Sequence, residues 1–193
     1  STGIARNPWL VVFGSALALT VGNGPIMQFT FGVFLKPLLE EFQVARGMGS
    51  LALTVGLTAT ALFLPVAGRL ADRLGPRRTG LLAVGLLSLC LLALGLLAQS
   101  IWSFMVIFTL AGIAATGHTP LPYTKAVTAC FDDKRGLALA LTLTGVGIGA
   151  IVLPIIAQWL VSNFGWRGGY IGIALLLLIV AVLQARGVWR MAR

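Results

Sequence analysis

Six stretches of this chain are each long and apolar enough to cross a lipid bilayer, and little chain is left between them: residues 8–36, 48–67, 79–98, 102–130, 136–161 and 169–186. A span needs roughly 20 mostly apolar residues to cross about 30 Å of hydrocarbon. With no water to satisfy backbone polar groups, only helices and closed barrels are stable there. The runs are continuous and do not alternate with period two, which excludes a transmembrane β-barrel. The expected fold is therefore all-α, an integral membrane six-helix bundle forming one unit over residues 1–193. The first, fourth and fifth runs exceed the minimum and leave room for tilt, kinks or extension beyond the bilayer. Composition agrees: a soluble domain carries roughly 25% charged residues, and here only 10% are charged while 58% are hydrophobic. The first run is too long for a cleavable signal peptide and lacks a small-residue cleavage site.

A net charge of +9 would suggest nucleic acid in a soluble chain. Here no basic patch is interleaved with exposed stacking aromatics, so no nucleic-acid partner is expected. The charges instead alternate by side. Arg6, then Arg69, Arg73, Arg77 and Arg78, then Lys134 and Arg135, then Arg186, Arg190 and Arg193 fall on one face of the membrane, whereas the other receives Lys36, Arg46 and Arg167. The positive-inside rule then puts both termini in the cytoplasm, in a plasma or bacterial inner membrane. Trp9, Trp102, Trp166 and Trp189 fall near span ends, where an interfacial belt is expected. Cys90 lies within an apolar run and Cys130 beside a charged loop, too far apart in depth for a disulfide. No spacing suits a metal, and no cofactor is expected.

The second and fifth runs resemble each other. Leu51-Ala52-Leu53-Thr54 leads to Leu64-Pro65 and then Gly75-Pro76-Arg77; Leu139-Ala140-Leu141-Thr142 leads to Leu153-Pro154 and then Gly165-Trp166-Arg167. The second run points inward and the fifth outward. The chain therefore reads as a three-plus-three inverted repeat, with units of about 8–98 and 102–188. The alternative is chance similarity between Leu-Ala-Thr-rich helices, which would not readily reproduce the Pro-to-Gly-x-Arg register.

Between the second and third runs lies Gly68-Arg69-Leu70-Ala71-Asp72-Arg73-Leu74-Gly75-Pro76-Arg77-Arg78. Gly68 permits close approach of a neighbouring helix, Gly75 permits the turn into the next helix, and the Asp72 carboxylate sits among cations. The stretch resembles the signature loop of the major facilitator superfamily, G-x-L-A-D-R-x-G-x-R-R, at every defined position. That resemblance implies a cytoplasmic latch between two six-helix halves, carried by Asp72 and Arg73 with Gly68, Gly75 and Arg77. The bland alternative is a positive-inside loop with one solvated acid.

Two further stretches narrow the resemblance. Phe31-Gly32-Val33-Phe34-Leu35-Lys36-Pro37-Leu38-Leu39-Glu40-Glu41-Phe42 is similar to the end of helix one in monocarboxylate and oxalate–formate transporters, and Phe131-Asp132-Asp133-Lys134-Arg135-Gly136-Leu137-Ala138-Leu139-Ala140 to their loop into helix five. Ala140 stands where that group usually has Gly, and Asn7-Pro8-Trp9 keeps little of the acidic start of the animal carriers. The resemblance implies secondary active transport by alternating access of a small organic anion, by proton symport or anion exchange. It also implies a second six-helix half, in which the family often carries the cation that binds the anion.

Polar side chains inside a bilayer are costly and are functional candidates by default. Helix one holds Gly22-Asn23-Gly24-Pro25 and Gln28, where Asn23 and Gln28 can hydrogen-bond a substrate or another helix. Helix four holds His118, Tyr123 and Lys125 among Pro120 and Pro122. Read as one helix, the seven-residue spacing puts His118 and Lys125 on one face, a proton-carrying imidazole and a cation along one pathway. Otherwise His118 bonds a carbonyl freed by the prolines and Lys125 snorkels to headgroups. Gly145 and Gly149 form a small-xxx-small face for helix packing, within this half or across the two. No triad, metal cluster or paired intramembrane carboxylate supports an enzyme. The rival class is a sensor or assembly scaffold that keeps the fold without transporting. The chain stops just after the sixth run, so it is expected to act with a second half, as a separate chain or a second copy, or to be a fragment of a longer protein.

Overall fold

The computed structural model describes residues 8–131 and 134–183, and all of their side chains except those of residues 10, 76, 77, 122, 126 and 183. Arg6, Asp132, Asp133, Arg186, Trp189, Arg190 and Arg193 thus lie outside the described residues, as does the side chain of Arg77. Among the described residues no strand occurs, and five helical stretches are long and apolar enough to cross a membrane.

The first of these stretches, Val11–Phe42, is not one helix. Helix α1 (Pro8–Thr20) gives way to a π-helical turn, Gly24–Phe29, before α2 (Phe31–Phe42) resumes. Pro25 lacks the N–H that would continue the regular ladder, and the surrounding bonds shorten to Val21 N–H to Ala18 O at 3.3 Å and Gly22 N–H to Leu19 O at 3.0 Å. Helix α2 ends at Gln43, the one non-glycine at positive φ among the described residues.

Helix α3 (Arg46–Leu74) runs 29 residues, about 44 Å, and so protrudes beyond the hydrocarbon. The stretch expected as the loop from Gly68 to Arg78 is therefore mostly helical. Its single break is Gly75, at φ 83 and ψ 154, and Pro76 opens helix α4 (Pro76–Leu97) directly afterwards. Proline suits a first helical position because its missing N–H would be unpaired there anyway.

Helix α5 (Ile101–Ala115) starts with a reciprocal cap between Ser100 and Ser103. A 3₁₀ turn (Thr116–His118) and an extended Thr119 then interrupt the fourth span before α6 (Pro120–Thr128). The proline at the start of α6 and the one expected further along the same span explain why no single helix runs through.

Helix α7 (Arg135–Leu183) runs over 49 residues with a break at Gly165, at φ 70 and ψ 175. Leu160 lies over Gly172, and Val161 over Gly169. In a straight helix residues 160 and 172 would stand about 18 Å apart along the axis, so the limbs 135–164 and 166–183 fold back on each other. The expected boundary over residues 162–168 thus shrinks to one residue. Gly75 and Gly165, matched in the sequence comparison of the second and fifth runs, share a positive φ with an extended ψ. Nothing crowds either position, so backbone conformation alone calls for glycine there.

The largest buried cluster joins the spans through aromatic rings. Phe34 stacks on Tyr170 at 4.0 Å between centroids, and Phe104 on Phe108 at 5.5 Å. Trp166, expected in an interfacial belt, is instead only 3% exposed and packs edge-on to Phe42 and Tyr170.

Candidate functional site

The breaks in the first and fourth spans face each other across a partly open cavity of about 400 Å³. Asn23, Gln28 and His118 line it, with Leu19, Leu64 and Val146 among its aliphatic walls. Irregular backbone at membrane depth is stable only against protein or a cavity, which is why the two interruptions coincide. Asn23 is buried at 6% exposure, and its Oδ1 has no hydrogen-bond partner among the described residues. Gln28 is exposed.

His118 is fully buried. Its Nε2 lies 3.1 Å from the Ala18 carbonyl and its Nδ1 2.8 Å from the Tyr123 hydroxyl. A carbonyl only accepts, so Nε2 carries the hydrogen and Nδ1 of the neutral ring accepts from Tyr123 O–H. The imidazole thus pins the broken fourth span to α1 and has no free nitrogen for a ligand. Tyr123, itself buried, is likewise committed to the ring, and its hydroxyl fills the space beside Gly80.

The expected common face of His118 and Lys125 does not form as drawn, because Thr119 is extended and the helix is not continuous between them. Lys125 instead donates to Asp72 Oδ1 at 2.8 Å, with both side chains more than half exposed. One expected pathway residue and one expected latch residue are therefore partners, tying α6 to the end of α3. Arg69 and Arg73 have no ion-pair partner among the described residues. Among the described residues Gly68 has no atom within 4 Å of where its Cβ would sit, so the close approach expected there is not made by them. Gly145 and Gly149 do make theirs, within this chain: a Cβ at either would collide with the α1 carbonyls of Ala16 and Thr20.

At the other end of the bundle the structure adds a contact absent from the sequence reading. Arg167 Nη2 meets Glu41 Oε1 at 2.7 Å, the Trp166 indole N–H donates to the same carboxylate, and the guanidinium lies 4.4 Å from the Trp166 ring centre. This clamp joins the end of α2 to the corner at Gly165. Glu41 in the acidic pair after Pro37 and the Trp166-Arg167 step were its only signals.

Known proteins align along nearly the whole chain. The model of the Major Facilitator Superfamily matches residues 9–192. Monocarboxylate transporter 13 of Rattus norvegicus is 26% identical over 180 residues, 91% of this chain and 39% of that protein. The oxalate:formate antiporter of Oxalobacter formigenes is 27% identical over 184 residues, 94% of this chain and 43% of that protein. The gallate transporter of Pseudomonas putida is 26% identical over 181 residues, 91% of this chain and 40% of that protein. The chain spans about two fifths of the length of these curated relatives. A membrane-spanning helical chain matched by the family model from residue 9 to residue 192 belongs to the major facilitator superfamily, a family of multi-pass membrane transporters and not of enzymes.

Proposed function

We propose that this chain forms one half of a secondary transporter for small organic anions, working by alternating access with a second six-helix half. The observation that carries the proposal is the cavity between the interrupted first and fourth spans, with polar side chains from both at membrane depth. The relatives named for monocarboxylates, oxalate:formate and gallate supply the substrate class. The matched backbone at Gly75 and Gly165 supports a three-plus-three inverted repeat, and the charge asymmetry supports cytoplasmic termini.

In this reading Asn23 and Gln28 face the substrate, and Asp72, Arg73 and Arg77 form the cytoplasmic latch. His118 and Tyr123 carry the proton of a symport. A proton arriving at Nδ1 turns the ring into a donor to the Tyr123 oxygen, and the phenolic hydrogen must then find another acceptor. The second half is carried on the same polypeptide outside these residues, on a separate chain, or by a second copy.

Counterflow in proteoliposomes holding the assembled transporter tests the function. Vesicles loaded with an unlabelled mono- or dicarboxylate are expected to accumulate the labelled acid transiently, above empty vesicles. Folded protein that shows no counterflow with any small carboxylate would move the chain to the sensor or scaffold class.

A further inference from the structure

We propose that the flank between α3 and α4 binds an anionic phospholipid of the cytoplasmic leaflet, its acyl chain in an apolar groove and its phosphate on Arg73 and Arg78. The proposal goes beyond the transport reading and does not depend on the substrate. The groove has a volume of about 180 Å³. Its floor is made of small buried residues such as Ala83 and Gly117. Val66 and Leu70 of α3 and Leu82 and Leu86 of α4 form its rims, each at least 42% exposed, so a chain lying alongside reaches them. The cavity between the first and fourth spans takes the other flank of α3, through Leu64. Leu64 and Val66 stand about 160° apart around the helix axis, so a second half that closes over that cavity leaves this groove to lipid.

Charge decides which lipid. At the end of the groove both rims run into arginine. Arg73 lies two helical turns beyond Val66 on the same face of α3, and Arg78 one turn before Leu82 on α4. Both are exposed and free of ion pairs among the described residues, whereas the neighbouring Asp72 is held by Lys125. In sequence, Arg69 and Arg77 bring the ten residues 69–78 to four arginines. A basic cluster of that size at the cytoplasmic end of a span attracts anionic headgroups, each arginine contributing roughly fivefold in affinity. Guanidinium groups also match phosphate oxygens bidentately. A zwitterionic lipid brings its own cation against this cluster, so a net anionic one gains more. The hydrocarbon tail then lies between the rims, where ordinary bilayer contact alone would show no preference for headgroup.

The test places the assembled transporter in phosphatidylcholine nanodiscs holding a trace of photoreactive lipid, either phosphatidylglycerol or phosphatidylcholine with a diazirine on one acyl chain, and maps the labelled residues. Phosphatidylglycerol is expected to label the rims of the groove at least about fivefold more than phosphatidylcholine. Arg73→Gln with Arg78→Gln should bring the two lipids within about twofold, and Arg73→Lys with Arg78→Lys should keep most of the preference. Should the glutamine pair fail to assemble, raising the salt concentration on the unsubstituted protein removes the same attraction. Val66→Trp, which fills the groove from its exposed rim, should lower labelling of Leu70 and Leu82 by either lipid. Equal labelling by the two lipids in the unsubstituted protein would mean ordinary bilayer contact and would overturn the proposal. So would a preference that survives in the glutamine pair or at high salt. Labelling of the groove by neither lipid would mean that protein covers this flank, which overturns it as well. Each of these results leaves the transport reading standing.

Discussion

His118 shows how one side chain can hold a broken span in place. Its two bonds cross from the fourth span to Ala18 on α1 and along the fourth span to Tyr123, all in a buried setting. Removing the ring strands a phenol and a carbonyl, and each stranded group costs about 1–3 kcal/mol. His118→Ala is therefore expected to lower the unfolding temperature in detergent, and Tyr123→Phe to lower it less. A double-mutant cycle should return a coupling of about 0.5–3 kcal/mol between them. The proton role makes a separate demand: His118→Ala should abolish the pH dependence of uptake in whatever fraction still assembles. Unchanged pH dependence with lost stability would leave His118 as a pin alone. The sequence made this residue visible, since a lone intramembrane histidine is conspicuous. Its partners were not legible, because the helical spacing that pointed to Lys125 assumes a continuous helix and Thr119 interrupts it.

At the scale of elements, the long apolar runs and the two glycine turns could be read directly, because hydrophobic length and Gly-Pro or Gly-Trp punctuation are local signals. Helix ends were less legible. The amphipathic, Arg-rich end of α3 looks like a loop by composition yet continues to Leu74, since a helix is free to extend past the hydrocarbon. Packing partners were least legible: Gly145-x-x-x-Gly149 announces close approach but does not say to what. The answer is α1, and it yields a graded expectation. The space at Gly145 and Gly149 is filled by α1 backbone, whereas nothing lies within 4 Å at Gly147. Overpacking against backbone costs typically 1–3 kcal/mol. Gly145→Ala and Gly149→Ala should thus reduce the amount of folded protein in the membrane and its melting temperature, while Gly147→Ala should leave both near the unsubstituted values. Equal sensitivity at all three would mean that helix propensity, not the α1 contact, governs this limb.

For the whole molecule, the alternating access proposed above requires that one end of the bundle be held while the other opens, and the two ends here are held differently. Glu41, Trp166 and Arg167 clamp one end, whereas the opposite end has the exposed Asp72–Lys125 pair, with Arg69 and Arg73 free of ion pairs among the described residues. If Asp72 acts as a latch, it has two competitors for its charge: Lys125 in this half and a partner in the other. An exposed ion pair is worth about 1 kcal/mol at most, which corresponds to roughly a fivefold change in a two-state population. Asp72→Asn is expected to shift accessibility by about that factor, read as thiol labelling of Gln28→Cys from each side of the membrane, with Cys90 and Cys130 replaced. Lys125→Met separates the two competitors. It removes the internal partner and frees Asp72 for the other half, so it should shift accessibility in the direction opposite to Asp72→Asn. The charge swap Asp72→Lys with Lys125→Asp restores the internal pair but not a contact between halves. Full rescue by the swap would confine Asp72 to bracing α6 against α3; failure of the swap, with opposite shifts in the single variants, is the outcome expected of a latch. An unchanged labelling pattern in every variant would remove Asp72 from the access cycle altogether.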